Sequence, residues 1–98
     1  MTKENMDLNG KNVEIYVVPL KGVDLVFAKT AKGMIGCGLL DVMLLDRWAY
    51  PAAKMKGLTG LITSGQELLN AEAVVINESA KKLGIKEGMT GWEALKLL

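Results

Sequence analysis

Between Asn12 and Leu20 the chain reads NVEIYVVPL, with Val13, Ile15 and Val17 alternating against Glu14, Tyr16 and Val18. A period of two among β-branched residues predicts a strand. Pro19 donates no ladder hydrogen bond, which places it at a strand end or on a sheet edge. Lys21-Gly22 predicts a turn. VDLVFAK (Val23–Lys29) then predicts a second strand with Leu25 and Phe27 on one face, KTAKG another connection, and MIGC (Met34–Cys37) a short third strand. These three form an antiparallel meander. The residues before it, 1–11, are expected to be a mobile arm.

From Leu39 or Leu40 the pattern changes to LLDVMLLDRWAY, which has no internal glycine and is too long for another short strand. It predicts a helix ending near Pro51, although the proline can instead open a further turn containing Ala52 and Ala53. At 100° per residue Asp41, Asp46 and Arg47 point in different directions. A helix apolar nearly all round needs cover on more than one side. The sheet supplies one cover and a second copy of the chain the other.

GLTGLIT (Gly57–Thr63) reads as a fourth strand. Ser64-Gly-Gln-Glu67 fits a capping box that opens a short helix through Leu69. Asn70 is a candidate cap for a further helix, in which Ala73, Ile76, Ala80 and Leu83 recur at helical spacing until Gly84 ends it. Thr90-Gly-Trp-Glu93 is a second capping box, opening the terminal helix WEALKLL. Strands first and helices later predict one α+β domain over 1–98. Its form is a two-layer sandwich, a mainly antiparallel sheet of roughly four strands with helices packed on it.

Composition adds a partner to this picture. Half of the 98 residues are hydrophobic and the mean hydropathy is +0.22, high for a body with so much surface to cover. A homo-oligomer is therefore expected, a dimer being the simplest. No charge-free stretch approaches the ~20 apolar residues of a membrane span, and the polar start MTKENMDLNGKN does not read as a signal peptide. The expectation is a cytoplasmic protein without a membrane partner, and a lone cysteine suits that reducing compartment. Twelve Lys and Arg against eleven Asp and Glu leave a net charge of +1 with no basic stripe. Nucleic acid is not an expected partner, because phosphate neutralisation leaves a clustered footprint. Lys54-Met-Lys56 reads as a solvated helix end.

The chain has no histidine and one cysteine. That excludes Ser-His-Asp and Cys-His catalysis, histidine metal sites and a Cys/His zinc cage within one chain. The acids show no EF-hand or paired spacing, so neither metal nor cofactor is expected. Chemistry concentrates instead in GMIGCGLLD (Gly33–Asp41), with three glycines in six residues, Cys37 between two of them and an acid at its end. As a phosphate cradle, Gly36-x-Gly38-x-x-Asp41 puts a carboxylate where a dinucleotide fingerprint needs a small residue, and it has no P-loop lysine. As a nucleophile, Cys37 would gain from the positive end of a following helix, but Asp41 opposes that and no base is at hand. The structural alternative is a strand-to-helix turn in which Asp41 steadies the first helical turn and Cys37 is a buried small hydrophobe. Trp48, Tyr50 and Trp92 are candidates for an aromatic ligand wall or for interface anchors. Thr63-Ser64-Gly65 can offer amides and hydroxyls to an anion, although capping already explains Ser64.

CGLLDVMLL (Cys37–Leu45), followed by LGIKEGMTGWEAL (Leu83–Leu95), resembles the YunC-like family of small bacterial and archaeal proteins of unknown function. The likeness runs from about Val13 to Leu98 and is strongest at Cys37-Gly38, Leu40-Asp41-Val42 and Gly88–Gly91 with Glu93-Ala94-Leu95. The stretch from Asp46 to Lys56 departs most. The resemblance implies a compact two-layer α+β fold and brings no established activity or catalytic residues. Cys37, Gly38 and Asp41 match the family pattern and form the candidate ligand or reactive site. The expected role is a self-associating domain that binds a small ligand or a partner protein, with the helix after Gly38 near the subunit contact. The alternative is an enzyme using Cys37 or Asp41 at the junction.

Overall fold

In a computed structural model describing residues 1–98, the chain begins with paired strands. β1 (Thr2–Leu8) runs antiparallel to β2 (Lys11–Leu20). Asn9 and Gly10 join them with positive φ at both positions, 53° and 85°, the requirement of a tight two-residue hairpin. This corrects the expected mobile arm over residues 1–11. An edge strand is held by backbone hydrogen bonds that any side chain permits, so TKENMDL pairs without a strong apolar alternation. Only Met6 and Leu8 of β1 reach the core.

The predicted meander follows, with β3 (Val23–Lys29) and β4 (Met34–Gly36) each antiparallel to its predecessor. Here the topology changes. A connection containing α1 (Val42–Leu45) and a 3-10 turn (Asp46–Trp48) leads to β5 (Ala52–Lys56), which lies parallel to β4. A parallel pair needs a crossover of about a dozen residues, and residues 37–51 supply it. After α2 (Gly65–Asn70), β6 (Glu72–Ile76) pairs antiparallel with β5, and α3 (Glu78–Lys81) and α4 (Gly91–Leu97) complete the chain. The six strands lie in sequence order. The α+β class is as expected, with six strands in place of four.

Three expected elements differ. The long apolar helix toward Pro51 is only the four residues of α1 and the 3-10 turn, ended by Ala49 in the left-handed conformation. Its carbonyls are claimed from outside: Asn77 Nδ2 donates to the oxygens of Val42 and Tyr50 at 2.9 and 2.8 Å. The strand that follows the meander is AAKMK (β5), directly after Pro51, and Gly57–Thr63, where a strand was expected, is a loop closed by a Gly57–Gly60 bridge. Ala73 and Ile76 lie in a strand, although they are spaced as on a helix. A bulge in the β5–β6 pairing sets Ala53 opposite Ile76 and Met55 opposite Ala73, so two β6 residues three apart share the buried face. That spacing imitates one turn of a helix.

Register aligns Ile15, Ala28, Ile35, Ala53 and Ile76 in one row across β2 to β6, and every member of it is buried. Leu68, Leu69, Ala94, Leu95 and Leu98 belong to the same core, placing α2 and α4 against this face. Each fully buried leucine contributes about 1.5–3 kcal/mol of transfer free energy. On the opposite face Tyr16 stacks on Phe27 with ring centroids 4.9 Å apart. Gly36, paired with Phe27 on that face, lies under Leu40, which approaches so closely that a Cβ would clash. The crossover thus starts by folding over its own strand.

Candidate recess at the ends of the parallel strands

Because β4 and β5 are parallel neighbours, their C-terminal ends open at one end of the sheet, beside the start of antiparallel β3. A recess of about 370 Å³ lies there, lined by residues from β3 (Val23, Asp24), the exit of β4 (Cys37, Gly38, Leu39), the end of β5 (Lys54–Lys56), the following loop (Gly57, Gly60–Ile62) and Val74 of β6. Buried Cys37, Met55 and Ile62 contribute apolar wall, whereas Leu39, Leu61 and Val74 remain 53%, 71% and 38% exposed. Large apolar side chains left in water around a concave apolar surface distinguish this recess from ordinary scattered exposure.

Cys37 continues the β3–β4 ladder, its amide donating to the Val26 carbonyl at 2.9 Å. The thiol accepts from the Val26 amide at 3.5 Å and donates to the Asp24 carbonyl at 3.8 Å. Both partners are backbone groups, and neither is a base. Gly38 is exposed, and a Cβ added there would meet nothing within 4 Å. Packing therefore requires Gly33 and Gly36 but leaves Gly38 free. The amides of Gly38 and Leu39 make no hydrogen bond within the chain.

Asp41 stands apart. Its Oδ1 accepts from the Leu44 amide at 3.0 Å, capping α1, and the residue does not line the recess. Of the three candidate residues the fold thus brings Cys37 and Gly38 together and turns Asp41 to a capping role. The aromatic residues do not gather at the recess either: Trp48 and Tyr50 sit in the crossover, and Trp92 Nε1 donates to Asn70 Oδ1 at 3.1 Å. Burial pushes the Tyr50 hydroxyl up, with Lys29 opposing. At Thr63–Gly65 the amides and hydroxyls are already engaged. Ser64 Oγ accepts from the Glu67 amide at 3.1 Å, and the Glu67 carboxylate accepts from the Thr63 hydroxyl, the Thr63 amide and the Ser64 hydroxyl. The Thr63 hydroxyl foremost holds that carboxyl below its ordinary value.

Lys54 and Lys56 are recess residues that the sequence reading assigned to a helix end. In K-M-K the alternation of charge around a buried methionine carries the strand signal, and it puts both lysines on one face of β5. Neither joins an ion pair; the ion pairs of the chain involve Lys3, Lys29 and Lys81. No group of three or more acidic or cysteine side chains is placed to hold a metal ion, and no helix is long and apolar enough to cross a membrane.

Residues 36–98 match the family model described as a domain of unknown function, DUF1805. The chain belongs to the DUF1805 family. It is 31% identical over 88 residues to the uncharacterized protein YunC of Bacillus subtilis strain 168, an alignment spanning 90% of this chain and 87% of that one. The YunC-like resemblance read from Cys37–Leu45 and Leu83–Leu95 therefore holds. A crystal structure of a protein of unknown function from Thermoplasma acidophilum has the same fold, with a TM-score of 0.87 at 22% identity, covering 97% of this chain and 89% of its own. The DUF1805 match begins at Gly36, so most of the recess lies within it while β1 to β3 precede it.

Proposed function

We propose that this DUF1805 domain binds a small ligand in the recess beyond the ends of β4 and β5, with Cys37 and Gly38 in its wall. The observation that carries this reading is the exposed apolar rim of Leu39, Leu61 and Val74 around a buried apolar floor. Binding is favoured over catalysis at Cys37 or Asp41, because the thiol meets only backbone groups and the carboxylate is engaged with α1. Native mass spectrometry of the protein from its own cells tests the reading. A retained small molecule that is lost from a Leu61→Asp variant supports it, and a bare chain in both samples sinks it.

A second reading concerns self-association. Met43, Leu44 and Trp48, all in the crossover, are 56%, 46% and 69% exposed, and a second copy of the chain is the simplest cover for three such neighbours. A dimer through this patch also suits the high apolar content, and the single free thiol suits a cytoplasmic location. Sedimentation at micromolar concentration separates the outcomes, since a monomer there removes the dimer.

A further inference from the structure

We infer that the recess takes an amphipathic oxyanion, a ligand of roughly a dozen heavy atoms made of an apolar body and one terminal carboxylate or phosphate; this rests on the ligand-binding reading above. The size follows from volume. At ~30 Å³ per atom-sized occupant, the recess of about 370 Å³ has room for a medium-length chain and its head group. The apolar body follows from Met55, Ile62, Leu61 and Val74, which present hydrocarbon from the floor to the rim.

The sign of the head group follows from charge. Lys54 and Lys56 project from the same face of β5, with backbones about 6.5–7 Å apart at strand spacing. Two ammonium groups so placed repel each other. No carboxylate relieves them, for neither takes part in an ion pair. The other charged residue in the lining is Asp24, so the lining holds two cationic residues and one anionic, and the balance is positive. Hydrogen bonding points the same way. The amides of Gly38 and Leu39, at the exit of β4, are unclaimed within the chain, and Gly38 has no side chain to obstruct an approaching oxygen. Oxyanions are held by such combinations of ammonium groups and backbone N–H. A cationic ligand would gain Asp24 but would face both lysines.

The test is titration of the full-length, isotopically labelled protein with four probes of equal chain length: decanoate, decyl phosphate, decanol and decylammonium, followed by amide shifts. One or both anions are expected to shift residues 37–39 and 54–62 and to bind at least tenfold tighter than decanol, with the preference shrinking at high salt. Carboxylate and phosphate are told apart by which of the two anions binds tighter. A Lys54→Gln, Lys56→Gln double variant is expected to bind the anions no better than decanol while keeping its decanol affinity. Lys54 is half-buried and Lys56 exposed, and an unchanged melting temperature shows that the variant folds. Decanol binding as tightly as the anions, or decylammonium binding tighter, overturns the oxyanion inference and leaves the ligand pocket standing. No shift at these residues with any probe overturns both.

Discussion

Asp46 and Ser79 join the crossover to the last third of the chain: Asp46 Oδ1 accepts from the Ser79 hydroxyl at 2.7 Å and from its amide at 3.1 Å. Oδ2 accepts from the Glu78 amide at 3.1 Å. The carboxylate thus adds its charge to the first turn of α3, whose own cap is Asn77. A segment predicted to be a long apolar helix is instead a short one, fastened to β5 and α3 by two polar side chains.

Those hydrogen bonds, the Ser79 hydroxyl first, hold the Asp46 carboxyl below its ordinary value of 3.8. A carboxyl that ionises more readily when folded stabilises the fold fully above its unfolded value, and that stabilisation is lost as pH falls through the folded value. Asp46→Asn is expected to lower stability at neutral pH and to flatten the acid limb of the stability curve. Urea midpoints measured from neutral to about pH 2 check this, and an acid limb parallel to that of the unaltered chain would refute it. Glu67 and Glu14 are shifted in the same direction, so the acid limb is expected to flatten without vanishing.

Asn77 is fully buried and uses its whole side chain. Oδ1 accepts from the amides of Ala52 and Ala80 at 3.1 and 2.9 Å, and Nδ2 donates to Val42 and Tyr50. Asn77→Leu leaves these groups without partners inside the protein. At about 1–3 kcal/mol for each such group left unsatisfied, the expected loss is about 3 kcal/mol or more. Chemical denaturation measures it, and a loss under about 1 kcal/mol would mean that the crossover relaxes freely.

Glycines separate structural from open positions. A Cβ on Gly91 would sit 2.5 Å from the Leu68 oxygen and 2.8 Å from Leu69 Cα, both backbone, where α4 meets α2. Gly91→Ala is expected to cost about 1–3 kcal/mol, whereas Gly38→Ala stays within about 0.5 kcal/mol. Thermal melts of the two variants side by side decide it. Comparable losses would show that Gly38 carries packing after all.

Cys37 is 5% exposed, so alkylation has to wait for local opening. Iodoacetamide is expected to modify the folded chain at least about tenfold more slowly than a free thiol, and at the free-thiol rate once the chain is unfolded in urea. Faster reaction in the folded state would restore the nucleophile reading.

Much of the fold was legible locally. The β2–β4 meander follows from period two and turn residues, and the Thr90–Glu93 capping box forms with both of its bonds, at 2.9 and 3.2 Å. The Ser64 cap also forms, although Glu67 reaches to Thr63. Asn9-Gly10 was a hairpin signal in plain sight, and weighing it would have placed β1. The site was half legible. Cys37 and Gly38 came from the glycine-rich run, but Lys54 and Lys56 needed K-M-K to be read as a strand.

Sequence alone determined whatever nearest neighbours control: the class, the meander, the caps, and the absence of histidine that bars several chemistries. Tertiary structure decided the parallel placing of β5 beside β4, the bulge that gave a strand a helical spacing, and the shortening of α1 by Asn77. Each depends on contacts between residues far apart in the chain, where the partner of a group is set by packing and not by its neighbours. The recess belongs to the same class, since it exists only where two strand ends brought together by a crossover leave apolar side chains and two lysines around one space.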